Sequence, residues 1–291
     1  MPNICRCVCV CGWIFSRRST GVPSSGEKSC ENPTMKISVV TISFNQGEFL
    51  RECIDSVLDQ GYPDLEYIVV DPGSTDNSRE IIDSYGDRLI RIYEKDEGAA
   101  DGLNRGFARA TGEIFAFINS DDALLPGSLQ CMADQFKRRP NTDLVAGAGY
   151  FSDAKGERGK RITPSRLTPW LYVFGGVTLF QQGMFFRRAI FEKVGGFNKA
   201  NRTSWDAELF VDMAKAGAQF DYIDDDIALF RMYPGSITGS GRLRQRYLED
   251  AARIFEGVIG RPPRPGDWML NRVARLAKFA LDPVYVVRRF R

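Results

Sequence analysis

"FAFINSDDAL", residues 115–124, runs from an apolar, strand-like segment into Asn119, Ser120 and two adjacent carboxylates, Asp121 and Asp122. Like charges side by side raise each other's energy unless solvent or a cation takes up their field. Taken alone, the pair reads either as a solvated turn leading into the next helix or as oxygen ligands for a hard cation, Mg2+ or Mn2+. The flanking sequence decides between the two.

Upstream, strand and helix patterns alternate. "KISVVTIS" (36–43) is a β-branched run with little polar interruption, as a strand covered on both faces requires. "GEFLRECIDSVLDQ" (47–60) sets Phe49, Leu50, Cys53, Ile54, Val57 and Leu58 on one helical stripe. "LEYIVVD" (65–71) is a second strand, and "DNSREIIDSY" (76–85) a helix expected to be capped by Ser74 or Thr75. A third strand, "RLIRIYE" (88–94), and a helix, "AADGLNRGFARAT" (99–111), lead to "EIFAFIN" (113–119), the strand that delivers the two aspartates. Beyond them come a helix from Pro126 and a strand, "DLVAGAGYF" (143–151).

This alternation predicts an α/β fold, a mainly parallel sheet flanked by helices. Ligands of such sheets bind beyond the carboxyl ends of the strands. Asp71, Asp121 and Asp122 all stand at such ends and are expected on one open rim outside the core. From about residue 155 the period fails: "DAKGERGKR" (153–161) reads as a charged turn, and the aromatic-rich 167–188 as an acceptor-side subregion or an edge sheet. "SWDAELFVDMAKAG" (204–217) is again helical. In the aromatic stretch, Phe174, Phe180, Phe185 and Phe186 suit the core, whereas Trp205 is equally a core residue or a sugar-stacking one.

Composition removes several classes. There is no histidine, which excludes histidine triads and zinc-histidine sites and leaves acid–base chemistry to carboxylates, Lys, Tyr and Cys. With 39 basic against 37 acidic residues, no nucleic-acid partner is expected. "VVDPGSTDNS" (69–78) lacks a G-x-G-x-x-G fingerprint, and the chain carries no P-loop. Five of the seven cysteines lie in the first 30 residues. Residues 1–34 carry no periodicity and are expected to be an upstream-extended reading frame or a disordered leader, the alternative being lipidation or metal binding by the cysteines. Cys53 and Cys131, on apolar helix faces, suit a reducing compartment, the cytoplasm. The tail 241–291 is basic and helical. Its "DWMLNRVARLAKFALDPVYVVRRFR" (267–291) reads either as an interfacial helix drawn to anionic lipid at the inner face of the cell membrane or as a packed helix with a basic outer face.

Four blocks in order carry a resemblance: residues 39–78, 94–129, "GMFFRRAIFEKVGGFN" (183–198) and 204–217. Over roughly 35–240 the chain resembles the family 2 glycosyltransferases of GT-A (Rossmann-like) fold. The resemblance implies transfer of a sugar from a nucleotide-diphosphate sugar to a carbohydrate or lipid-linked acceptor, with inversion, in cell-surface polysaccharide or glycolipid synthesis. It places Thr41 and Ser43 in the nucleotide pocket, Asp71 on the base or ribose, and Asp101 in the donor site, with Asn104 and Arg105 as further candidates. "SDD" stands where the family carries its metal motif, so Asp122 becomes the Mn2+ or Mg2+ ligand and Asp121 lies nearer the ribose or sugar. Asp206 matches the family's general base, with Glu208 as runner-up. The chain departs from the family pattern at Pro72, and at Gln181 and Tyr233, where relatives often show histidine. A nucleotidyltransferase on a related fold and a non-catalytic nucleotide-sugar binder are the rival functions.

Overall fold

A computed structural model describes residues 34–236 and 243–289. The leader expected over 1–34 falls, but for Thr34, outside the described residues, as does the boundary expected at 240/241. Nine strands form one sheet in the order β3-β2-β1-β4-β8-β6-β9-β5, with β7 pairing on β6. They are β1 (Ile37–Ile42), β2 (Leu65–Val70), β3 (Ile90–Ile92), β4 (Ile114–Asn119), β5 (Ala123–Leu124), β6 (Leu144–Ser152), β7 (Arg158–Ile162), β8 (Met184–Arg187) and β9 (Phe220–Arg231). Strands β1 to β4, β6 and β9 run in one direction, and β5, β7 and β8 run against them.

The two-residue period of each strand sorts its side chains between two cores. Ile37 and Val39 of β1, with Ile114, Ala116 and Ile118 of β4, meet α1 (Gly47–Leu58), α2 (Ser78–Asp83) and α4 (Ser128–Arg138). Val40, Phe115 and Phe117 face the other way, against α3 (Ala99–Arg109), α6 (Arg188–Val194) and α7 (Trp205–Lys215). Helix α3 can lie close because Gly106 has no side chain; a Cβ there would collide with Val40 Cγ1. Burial on both faces is why these strands read as continuous apolar runs.

Three local expectations fail. Neither Ser74 nor Thr75 caps α2, which starts at Ser78 after Asn77; the Ser74 hydroxyl instead accepts the Asn45 N–H (2.8 Å). The charged "RGKRI" is strand β7, antiparallel to β6, held by backbone pairing that its polar side chains do not reveal. "MFFR" is not at an edge: β8 lies inside the sheet between β4 and β6, so Phe185 and Phe186 are fully buried. Phe174 and Phe180 are buried as well, in keeping with the core reading. Helix α5 (Pro169–Val173), capped by Thr168, packs between α7 and the C-terminal helices α8 (Arg244–Ile259) and α9 (Trp268–Leu281), and α10 (Pro283–Arg289) packs on α9.

Candidate active site

The parallel register puts the loops at one level. Ile42 pairs with both Val70 and Asn119, so Ser43, Asp71 and Ser120 each follow at the same end of three adjacent strands. The loops after β1 and β2 are clasped together: Thr75 N–H donates to Asn45 Oδ1 (2.8 Å) and Gly47 N–H to Asp76 Oδ2 (2.9 Å).

Asp71 is fully buried. Its Oδ1 accepts from the backbone N–H of Gly73 (2.9 Å) and Ser74 (2.8 Å) and from Arg79 Nε (3.0 Å). Among the described residues its Oδ2 has no partner, and neither has the buried hydroxyl of Ser43. An unmade buried acceptor costs about 1–3 kcal/mol, so these two atoms are the ones a ligand's N–H or O–H groups can complete. Thr41 lies two residues deeper, fully buried, with Oγ1 3.0 Å from the Tyr67 hydroxyl. That hydroxyl is already engaged.

Across the opening, Asp101 Oδ2 accepts from Glu97 N–H and Arg105 Nε (both 3.1 Å), and Lys199 Nζ stands 3.2 Å from Oδ1. Burial pushes its pKa up, but these donors outweigh it and hold the carboxyl below its usual range. Asn104 is used structurally, bonding both the N–H and the C=O of Phe197 at 2.9 Å. Asp96, which sequence reasoning passed over, has a raised pKa: burial is the main cause, and the charges of Asp101 and Asp71 add to it.

The "SDD" turn is not an open rim. Asp122 is 1% exposed. Its Oδ1 accepts the Arg231 N–H (2.9 Å), and its Oδ2 accepts from Gln182 Nε2 (2.8 Å) and Asn119 Nδ2 (3.2 Å). Burial, and then the neighbouring Asp121 charge, push its pKa up to about 8. Asp121 is raised too, by burial, though it is less enclosed. The Tyr233 hydroxyl lies 3.3 Å from Asp121 Oδ2 and 3.2 Å from Gln46 Oε1, and its single proton can serve only one of them. Gln181 donates to the Phe117 carbonyl (2.8 Å), tying the 181–183 turn, which carries Gln182, to β4.

Arg231 holds this arrangement from beneath. It is 2% exposed, bonds the Asp121 carbonyl through Nε (2.8 Å), reaches the carbonyls of Asp153 and Ala154, and pairs with Glu52 (2.6 Å). Neither Arg231 nor Gln182 was singled out from sequence; the available signal was a lone arginine ending the apolar run "IALFR".

Oxygen donors of this kind suit Mg2+ or Mn2+. A carboxylate has about four lone-pair sites; Asp122 uses three internally, leaving one for a cation, and no side-chain cation pairs with Asp121 or Asp122 among the described residues. No cluster of three acidic or sulfur ligands occurs among the described residues. The residues therefore fit a cation that takes most of its ligands from a bound phosphate and water.

Asp206 begins the first turn of α7, half-buried beside Trp205, whose ring packs on Phe117 (5.5 Å) and Phe197 (5.6 Å). Burial pushes its carboxyl up to about 6, against the opposing pull of nearby backbone N–H groups. It has no ion pair among the described residues. Glu208 differs: Asn198 (3.0 Å), Asn201 (2.7 Å) and Arg253 (2.9 Å) all bond its carboxylate, tying α7 to the 198–201 loop and to α8.

Comparison with known proteins is consistent with this geometry. The family model "Glycosyl transferase family 2" matches residues 38–195. An uncharacterized glycosyltransferase of Nostoc sp. is 28% identical over 211 residues, which is 68% of this chain and 65% of that protein, so the chain spans less than two thirds of that relative. A putative teichuronic acid biosynthesis glycosyltransferase of Bacillus subtilis, TuaG, is 40% identical over 90 residues, 30% of this chain and 36% of that one. Among solved structures, a mannosyltransferase of Pyrobaculum calidifontis, in complex with GDP-Man and Mn2+, superposes with a TM-score of 0.61 at 18% identity over 89% of this chain and 74% of that one. At that identity the likeness concerns the GT-A fold alone.

Proposed function

This chain belongs to glycosyl transferase family 2, and from that premise we propose that it moves a sugar from a nucleotide-diphosphate sugar to an acceptor hydroxyl with inversion, in the assembly of a cell-surface polysaccharide or glycolipid. Asp206 is the base. It takes the proton of the acceptor hydroxyl as that oxygen attacks the anomeric carbon from the face opposite the leaving nucleoside diphosphate. One base and no covalent nucleophile suffice for a single displacement, which a chain without histidine can perform.

The observation that carries the reading is the division between Asp206 and Glu208. Asp206 has a raised pKa and no cationic partner among the described residues, while Glu208 is held by Arg253 and two asparagines. A base works best with its pKa near the working pH. Asp71 Oδ2 and Ser43 Oγ receive donors from the base or ribose, Thr41 supports them from below, Asp101 lines the donor site, and Asp121 faces the ribose or sugar. Asp122 would hold Mn2+ or Mg2+, which when bound would supply positive charge to the diphosphate.

The test is a panel of UDP-, GDP- and dTDP-sugars with Mn2+ or Mg2+, following released nucleotide and the anomer of the product by NMR. Nucleoside diphosphate with an inverted product is expected. A retained anomer refutes the single displacement, release of sugar 1-phosphate, the leaving group of nucleotidyl transfer from such a donor, points to a nucleotidyltransferase, and binding without turnover points to a non-catalytic binder.

A further inference from the structure

The C-terminal helices turn their apolar side outward. On α9, Trp268, Met269, Val273 and Leu276 are all more than half exposed, Leu276 at 72%, and Val284 and Val287 continue the surface onto α10. The opposite side of α9 is already satisfied: Ala274 is buried, and Leu270 and Ala277 pack with Leu171, Phe174 and Phe255. Gly176 permits that seating, since a Cβ there would lie 2.7 Å from the Ala274 carbonyl oxygen. The exposed side chains are therefore a second face, left over after packing. Contiguous apolar surface of this kind marks an interaction site.

Charge identifies the occupant. Residues 268–289 hold five basic side chains and one acid, Asp282, which is buried and bonded to Arg288. Arg272 and Arg275 are exposed among the apolar residues, and the Arg272 guanidinium lies over the Trp268 ring (5.4 Å). Spacings of three and four put Met269, Arg272, Leu276 and Phe279 on one face. Apolar groups with interleaved cations match the acyl boundary and headgroups of an anionic leaflet, where long basic side chains reach up to phosphate while their stems lie in hydrocarbon. A second protein would have to bury those arginines or pair each with an acid. No described helix is long and apolar enough to cross a membrane, so the contact is interfacial.

We propose that the outer face of α9 and α10 docks on an anionic bilayer surface. Helix α5 joins this face to the catalytic side: α9 packs on it, and it packs in turn on α7, which carries Asp206. Docking thus holds the acceptor side of the molecule near the lipid, as a lipid-linked acceptor requires. That consequence rests on the proposed glycosyl transfer; the docking does not.

The full chain is sedimented with vesicles of phosphatidylcholine alone and with added phosphatidylglycerol. Binding is expected only to the anionic vesicles. Arg272→Ser with Arg275→Ser should weaken it by about fivefold per cation, and Leu276→Glu by about tenfold or more. Thermal melts check that each variant folds, and if Leu276→Glu does not, the arginine variant decides. Failure to bind, or binding that neither variant weakens, overturns the proposal. So does a concentration-dependent dimer in sedimentation velocity that Leu276→Glu abolishes, because the face is then covered by a second copy. Donor turnover is measured separately in solution, so failure of the unaltered chain to bind vesicles, with turnover intact, counts against docking and not against glycosyl transfer.

Discussion

Asp206→Asn is expected to slow the enzyme and to stabilise it. The folded carboxyl sits at about 6 against an ordinary 3.8, raised chiefly by burial. Each pKa unit corresponds to about 1.4 kcal/mol, so the ionised form carries a folding penalty of at most about 3 kcal/mol, and solvent at a half-buried site reduces this to about 1–2. The sign follows from proton linkage. Between the two pKa values the folded chain holds the proton more tightly, so the carboxyl's contribution to stability falls as pH rises from about 4 to about 6, and the penalty is complete above that. Asparagine keeps the shape and cannot ionise. The variant should match wild type near pH 4 and exceed it at pH 7.5, by about 2–4 °C in Tm per kcal/mol. Over the same range kcat should fall by about 10²–10⁴ with little change in donor affinity, and the rising limb of the wild-type kcat profile near pH 6 should vanish. Calorimetry at the two pH values and initial rates from pH 5 to 8 measure both. A variant less stable than wild type at pH 7.5, or one that transfers sugar at a near wild-type rate, refutes the assignment.

Other substitutions separate the remaining roles. Glu208→Gln breaks the pairing with Arg253 and should cost about 1–3 kcal/mol in urea unfolding while kcat stays within a few-fold; a hundredfold loss of kcat would move the base to Glu208. Asp122→Ala should reduce Mn2+- or Mg2+-dependent transfer by about 10²–10³, with Asp121→Ala milder, and equal rates for wild type and Asp122→Ala at saturating donor would remove Asp122 from the metal role. Asp71→Ala should weaken nucleoside diphosphate binding by about 10–100-fold in titration calorimetry, the value of one or two buried hydrogen bonds; unchanged affinity would mean that the unpaired Oδ2 does not meet the donor.

The parallel half of the sheet was legible because its strands are covered on both faces. Burial on two sides forces an uninterrupted β-branched run, and a run such as "KISVVTIS" has few other readings. The later strands carry no such mark. β7 is polar and paired on one side, and the twelve residues of β9 contain three consecutive aspartates that broke the apolar pattern. What holds them is register against β6, a long-range fact that local pattern cannot state. The site divides the same way. Asp71, Asp121 and Asp122 could be placed at the strand ends because each follows a readable strand, whereas Gln182 and Arg231 reach Asp122 across sequence gaps of 60 and 109 residues.

That division bears on how the aspartate pair is tolerated. Side by side in sequence, the two carboxylates suggest a solvated turn, yet Asp122 is enclosed. Enclosure is affordable only because β9, running parallel to β6 and bonded to β5, ends with Arg231 directly beneath the turn. Its backbone N–H serves Asp122, its Nε serves the Asp121 carbonyl, and its charge is drawn off to Glu52 on α1. The guanidinium therefore braces the backbone of the turn, and its charge also eases the ionisation of Asp121. A lysine in place of Arg231 could satisfy Glu52 but not the several carbonyls at once, because one ammonium lacks the planar fork. Arg231→Lys should accordingly loosen the turn, lowering transfer more than it lowers Tm; a variant with full activity would mean that the turn holds its shape without this brace.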